Sequence, residues 1–144
     1  MDVHQQKITL MCQKVITSGS QNDLDNTLYN VCSHGITRLV NPLIEAKADV
    51  DAIVMMSYDD EPIPILFSIS LSRYDCTGVI RTLIEHKIDV NEKYDGCSIL
   101  TTLIQNEEFE IAGVLIKESQ NLKLISEYIL NQIISSKSII IKRI

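Results

Sequence analysis

Two stretches, Leu43-Ile44-Glu45-Ala46-Lys47-Ala48-Asp49-Val50-Asp51 and Leu83-Ile84-Glu85-His86-Lys87-Ile88-Asp89-Val90-Asn91, repeat one phrase. Each has an apolar pair, a mixed break, then an acid, a valine and an Asp or Asn. Val40, Leu43 and Ile44, and again Ile80, Leu83 and Ile84, fall at i, i+3 and i+4. That spacing predicts a helix with one buried stripe. The phrase therefore reads as a helix end, and Lys47 and Lys87 sit where a left-handed residue closes the helix. Glycine takes that conformation freely, whereas each lysine takes it at a cost on the order of 1 kcal/mol.

Fainter copies flank these two. Val15-Ile16-Thr17-Ser18-Gly19 and Leu115-Ile116-Lys117-Glu118-Ser119 place an apolar pair at the same distance from the closing residue. The closing positions 19, 47, 87 and 119 are 28, 40 and 32 residues apart. Among them Gly19 alone supplies the expected glycine. Shorter apolar helices are predicted ahead of these ends, at Thr27 to Gly35 and at Ser98 to Asn106. The second is opened by the turn signal Asp95-Gly96. Ile63 to Ile69 is a third such segment, and its proline suits a first helical turn.

These segments resemble the ankyrin motif, in which T-P-L-H-x-A opens an inner helix and G-A-D-V-N follows an outer one. Asn26 to Cys32 falls on the first phrase, and Ala48 to Asp51 and Ile88 to Asn91 fall on the second. The resemblance implies an all-α fold: an ankyrin-repeat solenoid of stacked antiparallel helix pairs joined by turns and fingers. A single domain over residues 1–144 is expected, with units at about 1–23, 24–51, 52–91, 92–123 and 124–144, the first and last partial. The motif's histidine is replaced by Tyr29, Leu66 or Thr101, so each turn loses a hydrogen bond of about 0.5–1.5 kcal/mol. The third unit carries extra residues around Ser72 to Gly78. In the last, Ile129 to Ile134 and Ile141 repeat Ile99 to Ile104 and Ile111, but no further apolar pair follows. Two expectations stand side by side: a piece of a longer array, or a last unit altered to cap itself. The isoleucine-rich style also resembles ankyrin proteins of large DNA viruses and intracellular parasites.

Composition narrows the function. The chain is 45% hydrophobic and 22% charged, as in ordinary globular domains, so a folded core is expected. Aromatics are 5% with no Trp, which leaves little material for base stacking. A net charge of −6 repels phosphate backbones, so the expected partner is another protein with a basic patch and not nucleic acid. No run spans a bilayer and no apolar leader follows the polar start, so neither membrane nor export is expected. The four cysteines, Cys12, Cys32, Cys76 and Cys97, form no CxxC pair, which suits reduced thiols in the cytoplasm. The nucleus, or a host's cytoplasm for a viral protein, is the further expectation.

Catalytic signatures are not found. The sequence lacks G-x-S-x-G, a Walker-type loop and H-E-x-x-H. Cys32, His34, His86 and Cys97 lack zinc spacing, so no metal, no cofactor and no enzyme is expected. Cys32 is expected in the core and Cys76 on the surface. Asp59-Asp60-Glu61 lacks the glycine and alternating ligands of a calcium loop and reads as a solvated turn.

A non-catalytic protein-binding module is therefore expected. The resemblance places its inner-helix surface at Asn30, Ser33 and His34, then Phe67, Ser70 and Leu71, then Thr102, Gln105 and Asn106. The finger from Ile53 to Glu61 is apolar for a turn, which marks Met55 and Tyr58 as contacts. Val54 and Met56 are candidates for packing beneath it. Leu83 with Asp89-Val90-Asn91 is similar to what asparaginyl hydroxylases accept, which makes Asn91 a hydroxylation candidate beside the plain reading of a turn residue. Two alternatives share the fold. One is a pathogen factor that mimics ankyrin inhibitors of Rel-type transcription factors. The other is a protein that self-associates through its apolar C-terminus, Ile139 to Ile144.

Overall fold

Asp2 and Ser20 decide where the first two helices begin. The computed structural model describes residues 2–55 and 61–119. Asp2 accepts the Gln5 N–H at 2.8 Å and Gln5 Oε1 accepts the Asp2 N–H, which starts α1 (Val3–Ser18). Ser20 and Asp23 exchange the same pair of bonds and start α2 (Gln21–Ser33). Both are capping boxes, each satisfying orphan N–H groups of a first turn. The Ser20 cap starts α2 six residues ahead of the predicted Thr27. The helix predicted as short is therefore 13 residues long.

The chain continues through a 3-10 turn, η1 (Thr37–Leu39), into α3 (Val40–Glu45). A first antiparallel hairpin follows, β1 (Ile53–Met55) with β2 (Pro62–Pro64). It leads directly into a 3-10 helix, η2 (Ile65–Leu71), with Pro64 extended at its cap rather than in its first turn. Then come α4 (Thr77–Glu85), a second hairpin, β3 (Lys93–Tyr94) with β4 (Cys97–Ser98), α5 (Ile99–Gln105) and α6 (Phe109–Glu118). The described residues are thus mostly helical, with two small two-stranded sheets. None of their helices is long and apolar enough to cross a membrane.

Helix ends repeat more faithfully than helix starts. Lys47 and Lys87 have φ of 82° and 64°, in the left-handed region expected of them. At each, two N–H groups bond back: Lys47 to Ile44 and Ala48 to Leu43, then Lys87 to Ile84 and Ile88 to Leu83. Gly35 and Glu107, at φ 66° and 61°, do the same with their followers Ile36 and Glu108. This is the Schellman arrangement, which satisfies the last carbonyls of a helix. At the first three ends it seats a buried residue beyond the turn, Ile36, Ala48 or Ile88, over buried Val31, Leu43 or Leu83.

Gly19 and Ser119 depart from the expectation. Gly19 is extended at φ −79°, and so is Ser119 at φ −97°. The α1–α2 connection is only Gly19 and Ser20, and Ser20 is already the next cap, so the chain must leave α1 directly. The glycine serves closeness instead: a Cβ there would lie 2.7 Å from the Val15 carbonyl oxygen.

Packing follows the helix faces. α1 packs on α2 and touches α3; α2 packs on α3 and on η2; η2 packs on α4 and α5; α4 packs on α3 and α6; α5 packs on α6. The stripe residues Val40, Leu43, Ile80 and Leu83 are fully buried between these layers, as their spacing predicts, with Ile44 and Ile84 half-buried at the margin. Burial of such side chains contributes about 1.5–3 kcal/mol each.

Candidate functional site

The turns between layers are joined by carboxylates. Asp25 Oδ1 accepts the Asp49 N–H at 2.8 Å, and Asp51 Oδ1 accepts the Asp89 N–H at 2.9 Å. Within each turn Asp49 accepts the Asp51 N–H and Asp89 accepts the Asn91 N–H, both at 2.9 Å. Gln21 Nε2 adds a bond to the Lys47 carbonyl at 2.8 Å. Charged acceptors make stronger bonds than neutral ones, so this relay fastens α2 to both following turns. Asn91 lies half-buried at its end. Glu92, the next residue, has its carboxyl pushed above the usual range, first by burial and then by Asp51, Asp89 and Asp49.

The inner-helix candidates fall into two groups that η2 separates. Asn30, Ser33 and His34 are half-buried at the end of α2. Ser33 Oγ donates to the Asn30 carbonyl at 3.1 Å, and His34 Nδ1 lies 2.9 Å from the same oxygen. The His34 ring stands 5.3 Å from that of Tyr74, whose hydroxyl donates to Asp2. The Ser33 hydroxyl and the His34 ring are thus turned to local partners. Thr102 is half-buried with its hydroxyl on the Ser98 carbonyl at 3.0 Å, whereas Gln105 and Asn106 are exposed at the end of α5.

Phe67 does not join them. It was expected on an exposed face and is only 1% accessible, with its ring 5.5 Å from that of Tyr94. Every residue from Ile65 to Ser70 is buried. The tight 3-10 turn of η2 is enclosed by α2, α4, α5 and β2, so no side of it is left for solvent. Ser70 turns its hydroxyl back to the Phe67 carbonyl at 2.7 Å. The side chain of Leu71 lies outside the described residues, as do Met56, Tyr58 and the tail from Ile139 to Ile144.

Cys76 is a second correction. It was expected at the surface and is fully buried, its thiol donating to the Cys32 carbonyl at 3.4 Å. The Ser72–Cys76 loop folds onto the end of α2 so closely that a Cβ on Gly35 would meet the Asp75 carbonyl oxygen at 2.8 Å. Cys32 is buried as expected. Burial raises the pKa of both thiols above the usual range, which favours the protonated form. Among the described residues no group of His, Cys, Asp and Glu is placed to hold a metal ion.

The first hairpin carries the exposed apolar surface. Ile53 is 59% accessible and Met55 56%, while Val54 between them is buried. Strand alternation puts Ile53 and Met55 side by side on the outer face. Met55 was singled out from the sequence; Ile53 was not. Ile53 comes into view only with the strand register, which sets Ile53 and Met55 opposite Pro64 and Pro62. Glu61 is exposed beside them, accepting the Tyr94 hydroxyl at 3.2 Å, which sets the second hairpin next to β2. Comparison of the chain with protein-family models, curated proteins and solved structures finds no match.

Proposed function

We propose that this chain is a non-catalytic protein-binding module, an ankyrin-type stack of helix pairs that meets its partner through the first hairpin. The observation that carries the proposal is the exposed pair Ile53 and Met55 on a strand whose middle residue is anchored in the core. Two unbranched or aliphatic side chains held out on a fixed strand make a contact patch at little ordering cost. The repeated Schellman ends and the aspartate relay favour the stacked reading, since both recur at the turns that join successive layers. The surrounding acids suit a basic partner.

The experiment is affinity purification from cytosol with the wild-type chain and with the Ile53→Ser/Met55→Ser double variant. A specific partner is expected to fall at least about tenfold in the double variant, the loss of two buried apolar contacts, at unchanged melting temperature. A partner that stays with this variant and is lost from Thr102→Ala/Gln105→Ala would move the site to the α5 end.

A further inference from the structure

The two edges of the first hairpin are not alike. Its register pairs Ile53 with Pro64, Val54 with Ile63 and Met55 with Pro62. The Ile65 N–H donates to the Ala52 carbonyl at 3.1 Å, which makes Ala52/Ile65 a hydrogen-bonded pair. Antiparallel ladders alternate, so Val54/Ile63 is the next bonded pair, and the two proline pairs are non-bonded. The N–H and C=O groups of Ile53 and Met55 therefore point away from β2. On the other strand the outward positions are Pro62 and Pro64, which have no N–H to offer. One edge is closed by proline and the other is open.

α2 packs near β1. Among the described residues no hydrogen bond to the outward N–H and C=O groups of Ile53 and Met55 is found. The second hairpin stands on the β2 side, held by Tyr94 on Glu61. Gln21, the first residue of α2, donates to the Lys47 carbonyl before β1, and the link ahead of it is only Gly19 and Ser20, too short to supply a strand.

We propose that the outer edge of β1 binds its partner by strand addition, taking an extended segment with alternate apolar residues and basic flanks. This rests on the protein-binding reading and names how that hairpin binds. The edge supplies two donors and two acceptors in strand register. Ile53 and Met55 select apolar residues at every second partner position, because neighbouring strands bring such side chains within about 5 Å. Asp49, Asp51 and Glu61 are exposed around the strand. A second copy of the chain would bring the same acids against them, so charge disfavours self-pairing and favours lysine or arginine at the flanks.

The test uses the full 144-residue chain and a lysine-flanked peptide of alternating valine and threonine. Binding is expected to slow amide exchange at Ile53 and Met55 by about tenfold or more at saturation. Met55→Pro removes one outward N–H at a position where β2 itself carries proline; it should weaken the peptide about tenfold, and Met55→Ala about threefold or less. A glutamate-flanked peptide should not compete. If Met55→Pro unfolds the chain, the wild type with a peptide N-methylated on its edge-facing amides gives the same comparison. Equal losses for the alanine and proline variants, protection elsewhere than at β1, or no binding at millimolar peptide would overturn strand addition. Loss of a cytosolic partner on Ile53→Ser/Met55→Ser would still uphold the hairpin as the contact, so the two proposals fail separately.

Discussion

The two hairpins occupy corresponding places, each after a helix closed by a left-handed lysine, yet they are built on different terms. β3–β4 turns through Asp95 and Gly96, both at positive φ, 54° and 76°. That two-residue loop matches the twist of its strands, and it needs only local chemistry to form. Its aromatic residue faces inward, Tyr94 against Phe67. β1–β2 has a longer connection between its strands, a proline-blocked edge and two exposed apolar side chains. The tight hairpin spends its side chains on the fold, while the long one holds two of them away from it. Where local turn chemistry is already satisfied, little surface is left for a partner.

Phe67, beneath both hairpins, offers the harshest test of that contrast. Phe67→Ala should cost about 3–5 kcal/mol in urea unfolding, the loss of a large buried ring and the cavity left behind. A cost below about 1 kcal/mol would return Phe67 to the surface. The relay between the hairpins comes next. Asp51→Ala removes the acceptor of the Asp89 N–H and should cost about 1–2 kcal/mol, read as a lowered melting temperature.

Gly96→Ala should destabilise by about 1 kcal/mol, since open space surrounds the position and only its positive φ resists a side chain. A larger loss would show that the tight hairpin is held by packing. Lys47→Gly and Lys87→Gly should each stabilise by about 0.5–1 kcal/mol by relieving the left-handed residue. Glu92→Gln should have the smallest effect, a gain of a few tenths of a kcal/mol at neutral pH, because Glu92 is only half-buried and solvent screens its interactions. Its sign follows from the raised pKa: the folded chain disfavours the Glu92 carboxylate, so wild-type stability falls as pH rises through that pKa. The advantage of the variant should vanish below Glu92's ordinary value of 4.5, where both side chains are neutral.

Much of this was legible where one rule acts over a few residues. Stripe positions in α3 and α4, the helix ends at Lys47 and Lys87 and the Asp95-Gly96 turn follow from periodicity and backbone preference. The errors share another feature. Gly19 was read as a left-handed closure, but the brevity of its connection overrode the preference. The resemblance puts Phe67 on an exposed inner-helix face, and the extra residues of the third unit put Cys76 at the surface, but neighbours in space enclose both. At the candidate site, Met55 stood out by its residue type. Ile53 needed the strand register before it could be seen beside Met55.

The sequence by itself determined the mostly helical character, the places where two helices stop and the acidic, aliphatic make-up of the molecule, because these depend on spacing along the chain and on summed charge. Only the tertiary structure decided that η2 is closed off from solvent, that Asp25 and Asp51 reach across to later turns, and that one edge of the first hairpin is open. Those facts depend on which backbone lies beside which, and a hydrogen bond or a buried ring is set by distance in space, which neighbours in sequence do not specify.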